Sequence, residues 1–139
     1  MKMRTMMISL VCLLQMIANC LYAQSLTLKV EGIEKVEGKL YVALYNSKET
    51  FMKKPCAAFV VDVKDKVMTI PCKGLPTGVY AASMYQDENG NGRLDTAAFG
   101  MPTEKYGFSN DAKGTMGPPS YEKCHFTFAE DMLLTVHLE

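Results

Sequence analysis

Apolar residues fall on every second position in a series of short runs, and turn residues separate the runs. Leu26, Leu28 and Val30 alternate with Thr27, Lys29 and Glu31. Leu40, Val42 and Leu44 alternate with Tyr41, Ala43 and Tyr45. Ala57, Phe59, Val61 and Val63 repeat the pattern, as do Met68, Ile70 and Cys72. A period of two puts successive side chains on opposite faces of a strand, so each run describes a half-buried strand. Further strands are expected at Val79–Tyr85, Tyr121–Phe128 and Met132–Leu138. No strand–helix alternation and no convincing amphipathic helix are present to favour a parallel sheet. The expectation is an all-β fold: a single antiparallel β-sandwich of immunoglobulin-like or transthyretin-like type, with about seven strands.

Some pairings can be drawn in advance. A two-residue turn at Lys64-Asp65 would set Phe59 opposite Ile70 and Val61 opposite Met68, with both apolar sets on one side. Pro71 then ends its strand or lies on an edge. A three-residue turn over 130–132 would set His125 opposite His137 and Thr127 opposite Thr135 on the outer face. Two such histidines make at most a weak metal site. The hairpin register puts Cys56 and Cys72 on opposite faces. Cys72 and Cys124 both fall on apolar faces, the latter beside Phe126 and Phe128, and either pair or serve as small buried hydrophobes.

The chain has 139 residues, enough for one core, but not all of it reads as fold. Lys2 and Arg4 precede an apolar run from Met6 to Ile17, and Tyr22-Ala23-Gln24 follows. This is the layout of a secretory signal peptide over residues 1–23, with residues 24–139 as the mature domain. A second reading takes Ile17-Ala18-Asn19-Cys20 as a lipobox with Cys20 lipidated, although Asn19 departs from the small residue expected there. Either way the expected location is the periplasm, the outer membrane or the exterior, and no transmembrane segment is expected in the mature chain. Removing Lys2 and Arg4 from the 15 basic residues leaves 13 against 15 acidic ones. That near balance gives no electrostatic footprint for nucleic acid.

The most chemically specific stretch is Asp87 to Asp95, D-E-N-G-N-G-R-L-D. Asp87, Asn89, Asn91, the Arg93 carbonyl and Asp95 occupy positions 1, 3, 5, 7 and 9 of a calcium-type loop, with Gly92 at position 6 for the sharp turn. Position 12, a bidentate Glu in an EF-hand, is Ala98, and no flanking helices are expected. The missing oxygens would come from Glu104, Asn110 or Asp111. The competing reading is a Gly/Asn turn whose side chains bond their own backbone. From Asp87 to Ser120 the chain is rich in glycine and proline with little periodicity, and a loop so long inside a compact domain is functional or tied down. Tyr106 and Phe108 are its candidate contact aromatics, with plugging of the loop onto the sandwich as their alternative.

No nucleophile elbow, phosphate-binding glycine loop or zinc-protease helix motif occurs, and no base is placed beside a cysteine. Catalysis is not expected. Three readings remain: a non-catalytic binding or envelope-associated module, a carrier of a small apolar ligand between the sheets, and, ranked last, an enzyme using the loop's acidic residues. The expected partner is a glycan, peptide or protein.

Val79-Tyr80-Ala81, the acidic loop, Phe99 to Asn110 and Gly117-Pro118-Pro119-Ser120-Tyr121 together resemble the DUF2141 family, exported bacterial proteins of unknown function. The likeness extends to Gly74-Leu75-Pro76 and Leu40–Tyr45. The family's shared segment carries over onto Asp87, Asn89, Asn91, Gly92, Asp95, Gly100, Pro102, Tyr106–Asn110 and Gly117–Pro119. The resemblance implies export but no activity, and the three mature cysteines look peculiar to this chain.

Overall fold

The computed structural model describes residues 24–139; the expected signal peptide and Cys20 lie outside them. Eight strands form: β1 (Leu26–Glu31), β2 (Lys39–Tyr45), β3 (Ala57–Asp62), β4 (Met68–Cys72), β5 (Gly78–Asp87), β6 (Tyr106–Phe108), β7 (Phe126–Phe128) and β8 (Met132–His137). They make two sheets. One has the order β4-β1-β8; the other runs β3-β2-β5-β6, with β7 also pairing to β5. The fold is an all-β sandwich, antiparallel except where β1 and β8 run parallel.

The alternation read from the sequence is the alternation that packs. Leu26, Leu28, Val30, Ile70, Cys72 and Val136 from the first sheet meet Leu40, Val42, Leu44, Ala82, Met84 and Phe128 from the second in one buried cluster. The partners of two strands differ from expectation. β3 and β4 do not form a hairpin: β3 pairs with β2, setting Phe59 against Val42, and β4 pairs with β1, setting Ile70 against Leu28. The chain crosses from one sheet to the other at Val63–Val67, and both apolar sets still face the core. Pro71 sits on β4, an edge strand, where its missing N–H removes no ladder bond.

The second correction lies near the C-terminus. Residues expected as one strand split into a single helical turn, α1 (Tyr121–Cys124), and the short β7. Tyr121 and Cys124, three apart, both turn toward a second small cluster with Ala81 and Phe108, a helical spacing that breaks the period of two. Because β7 joins β5 and β8 joins β1, His125 and His137 are not cross-strand partners, nor are Thr127 and Thr135. Cys124 also leaves the face of Phe126 and Phe128. Among the described residues the three cysteines are free, Cys56 exposed and Cys72 and Cys124 buried. Burial pushes the Cys72 and Cys124 thiols up to about 11.

β5 is the longest strand and carries the site. β2 covers one edge of it. The other edge is shared by β7 at Gly78–Tyr80 and β6 at Ser83–Tyr85. Ser109 patches the gap between them: its Oγ accepts the Ala82 N–H at 2.9 Å and donates to the Cys124 carbonyl at 2.5 Å. Past β8, Glu139 exchanges main-chain bonds with Tyr106 at 2.9 and 3.2 Å, so the two sheets are stitched along one side.

Truncating Leu28, which is fully buried, to Ala is expected to cost about 2–5 kcal/mol by denaturant unfolding, while Val60→Ala on the exposed face of β3 should stay within about 0.5 kcal/mol. Equal losses at the two positions would contradict the assigned faces.

Candidate functional site

β5 ends by driving Asp87 into the protein at 0% exposure. A carboxylate there must be satisfied, and the loop that follows wraps around it. Oδ1 accepts the Gly90 and Asn91 N–H groups at 3.1 and 3.2 Å, and Oδ2 accepts the Gly92 N–H at 2.8 Å. Three successive amides can converge on one side chain because Gly90 and Gly92 take left-handed φ values of 75° and 77°. Gly38 is required from the other side. A Cβ there would lie 1.9 Å from the Asp87 carbonyl oxygen.

The remaining polar side chains extend the same pattern. Asn89 Oδ1 accepts the Asn91 N–H at 3.2 Å, and Asn91 Oδ1 accepts the Arg93 N–H at 3.1 Å. Their amide nitrogens turn the other way, both donating to Asp95, from Asn91 at 2.6 Å. These bonds, that from Asn91 foremost, hold the Asp95 carboxyl below the usual carboxylate range. Their contribution is therefore complete above pH 3.8 and is lost as pH falls through the depressed value. Tyr85, stacked on Tyr41, donates its hydroxyl to the Gly92 carbonyl at 3.1 Å.

Glu104 closes the loop. Its carboxylate is buried and reaches both ends, accepting the Glu88 N–H at 2.7 Å and the Asp95 N–H at 2.8 Å. Asp95 in turn takes Thr103 through its carbonyl, and Ala97 N–H bonds the Met101 carbonyl at 2.7 Å. Residues 95–103 thus form a small hydrogen-bonded finger. Its tip is Phe99, fully exposed with a left-handed φ of 62°, next to the exposed Met101.

Asp87, Asn89, Asn91, Asp95 and Glu104 are therefore brought together, with Arg93 in the same loop. Asn110 and Asp111 are not. Asn110 donates to the Lys123 and His125 carbonyls, and Asp111 bonds His137, away from this loop. Tyr106 is half-buried, and Phe108 is buried against Ala81 and Cys124. The exposed Phe99, Met101 and Met116 were not singled out from the sequence, where exposure leaves no mark. Nor was the contact of Asp111 with His137, 26 residues apart.

A cation here would draw on Asp87, Asn89, Asn91, Asp95 and the Arg93 carbonyl. Among the described residues, no three His, Cys, Asp or Glu side chains form a metal-binding group, so amide and carbonyl oxygens would be essential. Both buried acids, Asp87 and Glu104, have every carboxyl oxygen accepting a main-chain N–H, an arrangement that holds the loop.

The fold and site define an all-β domain with a carboxylate-organised surface loop. Residues 28–134 match the family described as "Uncharacterized protein conserved in bacteria (DUF2141)", and the chain belongs to that family. No curated protein and no solved structure matches it. Among the described residues no helix is long and apolar enough to cross a membrane.

Asp87→Asn and Glu104→Gln are each expected to cost about 1–3 kcal/mol in urea unfolding, because each sets an amide N–H₂ against main-chain donors in a buried place. Asn89→Ala, at an exposed position, should cost less than either. The reverse order would contradict the assigned bonds.

Proposed function

We propose that this protein is an exported, non-catalytic binding module, in which the loop from Asp87 to Glu104 holds out a rigid finger to a glycan, peptide or protein in the envelope or outside the cell. The observation that carries this reading is Phe99, wholly exposed at the tip of a hydrogen-bonded finger. A large apolar side chain presented to solvent on a hydrogen-bonded backbone suits an anchor residue, since the backbone that carries it is ordered before binding. Met101 lies beside it, and Met116 is a further exposed apolar residue on the long loop. Export rests on the basic start, apolar run and Ala23-Gln24 junction of residues 1–23.

Calcium is proposed as an addition to this loop. The cation would be admitted if the Asn89 and Asn91 amides turned their oxygens toward Asp95 in place of their nitrogens. Two aspartates and two asparagines carry little charge, so the site would be of modest affinity.

Phe99→Ser is expected to leave the melting temperature unchanged and to weaken by about tenfold or more any binding found in a panel of glycans, peptides and lipid vesicles. Wild-type binding by this variant would overturn the finger as contact surface. Calcium at about ten times its Kd should stabilise the protein by about 1.4 kcal/mol relative to chelator. An unchanged melting temperature would remove the cation and leave the finger standing. The mass of the protein from the cell envelope should correspond to a chain beginning at Gln24; an acylated Cys20 would mark the lipoprotein form, and an intact Met1 would contradict cleavage after Ala23 and mark a retained anchor.

A further inference from the structure

His137 stands on the outer face of β8, in register with Glu31 of β1, and both of its ring nitrogens end on carboxylates. Nδ1 lies 2.8 Å from Asp111 Oδ2, and Nε2 lies 3.0 Å from Glu31 Oε2. A neutral imidazole carries one N–H and can donate to one of them. Only the imidazolium donates to both. The other charged groups around it are Lys29, paired to Glu31 at 3.0 Å, and the Lys113–Glu139 pair at 2.8 Å, with Tyr106 beside them.

Asp111 belongs to a tight turn, Ser109–Asp111, in which Asn110 and Asp111 hold left-handed φ values of 62° and 50°. Asparagine and aspartate visit that region more readily than other residues outside glycine, and bonds hold them there. Asn110 Nδ2 donates to the Lys123 and His125 carbonyls at 3.2 and 2.9 Å, and Asp111 Oδ1 accepts the His137 main-chain N–H at 2.8 Å. From this turn the chain runs on to Pro119 as a strap. Beneath it lies a cleft of about 120 Å³ lined by Tyr106, Asp111, Lys113, Gly117, Pro119 and His137, where β6 meets the end of the chain.

We propose that His137 is a pH-operated latch on this strap: protonated, it fastens Asp111 on the strap to Glu31 on β1 and holds the strap over the cleft, and deprotonated, it serves only one of them and the strap loosens. With one N–H left, either Asp111 or Glu31 faces a nitrogen lone pair at about 3 Å, a contact that pushes the pair apart. The hydrogen bond and charge of Asp111, followed by the charge of Glu31, raise the His137 pKa above its ordinary 6.5. The latch is therefore complete below 6.5 and is lost as pH rises through the raised value.

The test is an NMR titration of the whole protein from about pH 5 to about pH 9, following the His137 ring and the backbone order of Asp111 to Gly117. The ring should titrate above 6.5, and with the same midpoint the strap's order parameters should fall from about 0.85 toward about 0.6. A midpoint at or below the ordinary value, or a strap equally ordered on both sides of it, would overturn the latch. Glu31→Gln, at a surface position, should lower the midpoint, and an unchanged midpoint would likewise overturn it. Asp111→Asn should leave the strap loose at low pH as well. If that variant does not fold, the Glu31→Gln titration decides alone.

Discussion

One carboxylate buried at the end of a strand sets the arrangement of the whole upper surface. Asp87 places a carboxyl group where it has no solvent exposure, which is tolerable because three main-chain N–H groups point at it. That requirement bends the chain back over residues 88–92. Glu104 then makes the same kind of demand on Glu88 and Asp95, so the two ends of the excursion are held by a single side chain. The finger stands between Asp95 and Glu104, tied at its base by these bonds. Just beyond Glu104 the chain enters β6, where it pairs with β5 on one side and with the C-terminal residue on the other. Securing Glu104 thus also secures the seam between the sheets.

The sandwich beneath supplies the apolar drive, and its edges supply the specificity. Both sheets bury a continuous row of aliphatic side chains, but β5 lacks a full-length partner on one edge. Two three-residue strands and the Ser109 hydroxyl share that edge, and so the long loop must return to the sheet twice. The His137 contacts with Asp111 and Glu31 fasten the last part of that return to the opposite sheet. Loop and sandwich are therefore one mechanical object, held by a few polar bonds of defined direction.

Faces were legible in the sequence and partners were not. Period-two spacing names which side of a strand is apolar, and Leu26, Leu40 and Ile70 are all buried as that spacing requires. It does not say which strand lies alongside. Phe59 and Val61 face the core equally well beside β4 or beside β2, so Lys64-Asp65 could be read as a hairpin turn when it belongs to a crossover. Tyr121–Cys124 was misread because a single helical turn is too short to display its own period. In the loop, Asp87, Asn89, Asn91 and Asp95 are close in sequence, and hydrogen bonds within the loop join them. Glu104 was one of three candidates to join them and is the one that arrives. Asn110 and Asp111, equally polar, are drawn off by contacts that local spacing does not encode.

The claim on which this account turns is that main-chain bonds to Asp87 order the loop by themselves. Hydrogen exchange of the Gly90, Asn91 and Gly92 amides, measured in chelator, tests it most directly. Protection of all three well above the rate of a free chain is the predicted result. Exchange at the free-chain rate until calcium is added would contradict it and make the cation the organiser of the loop.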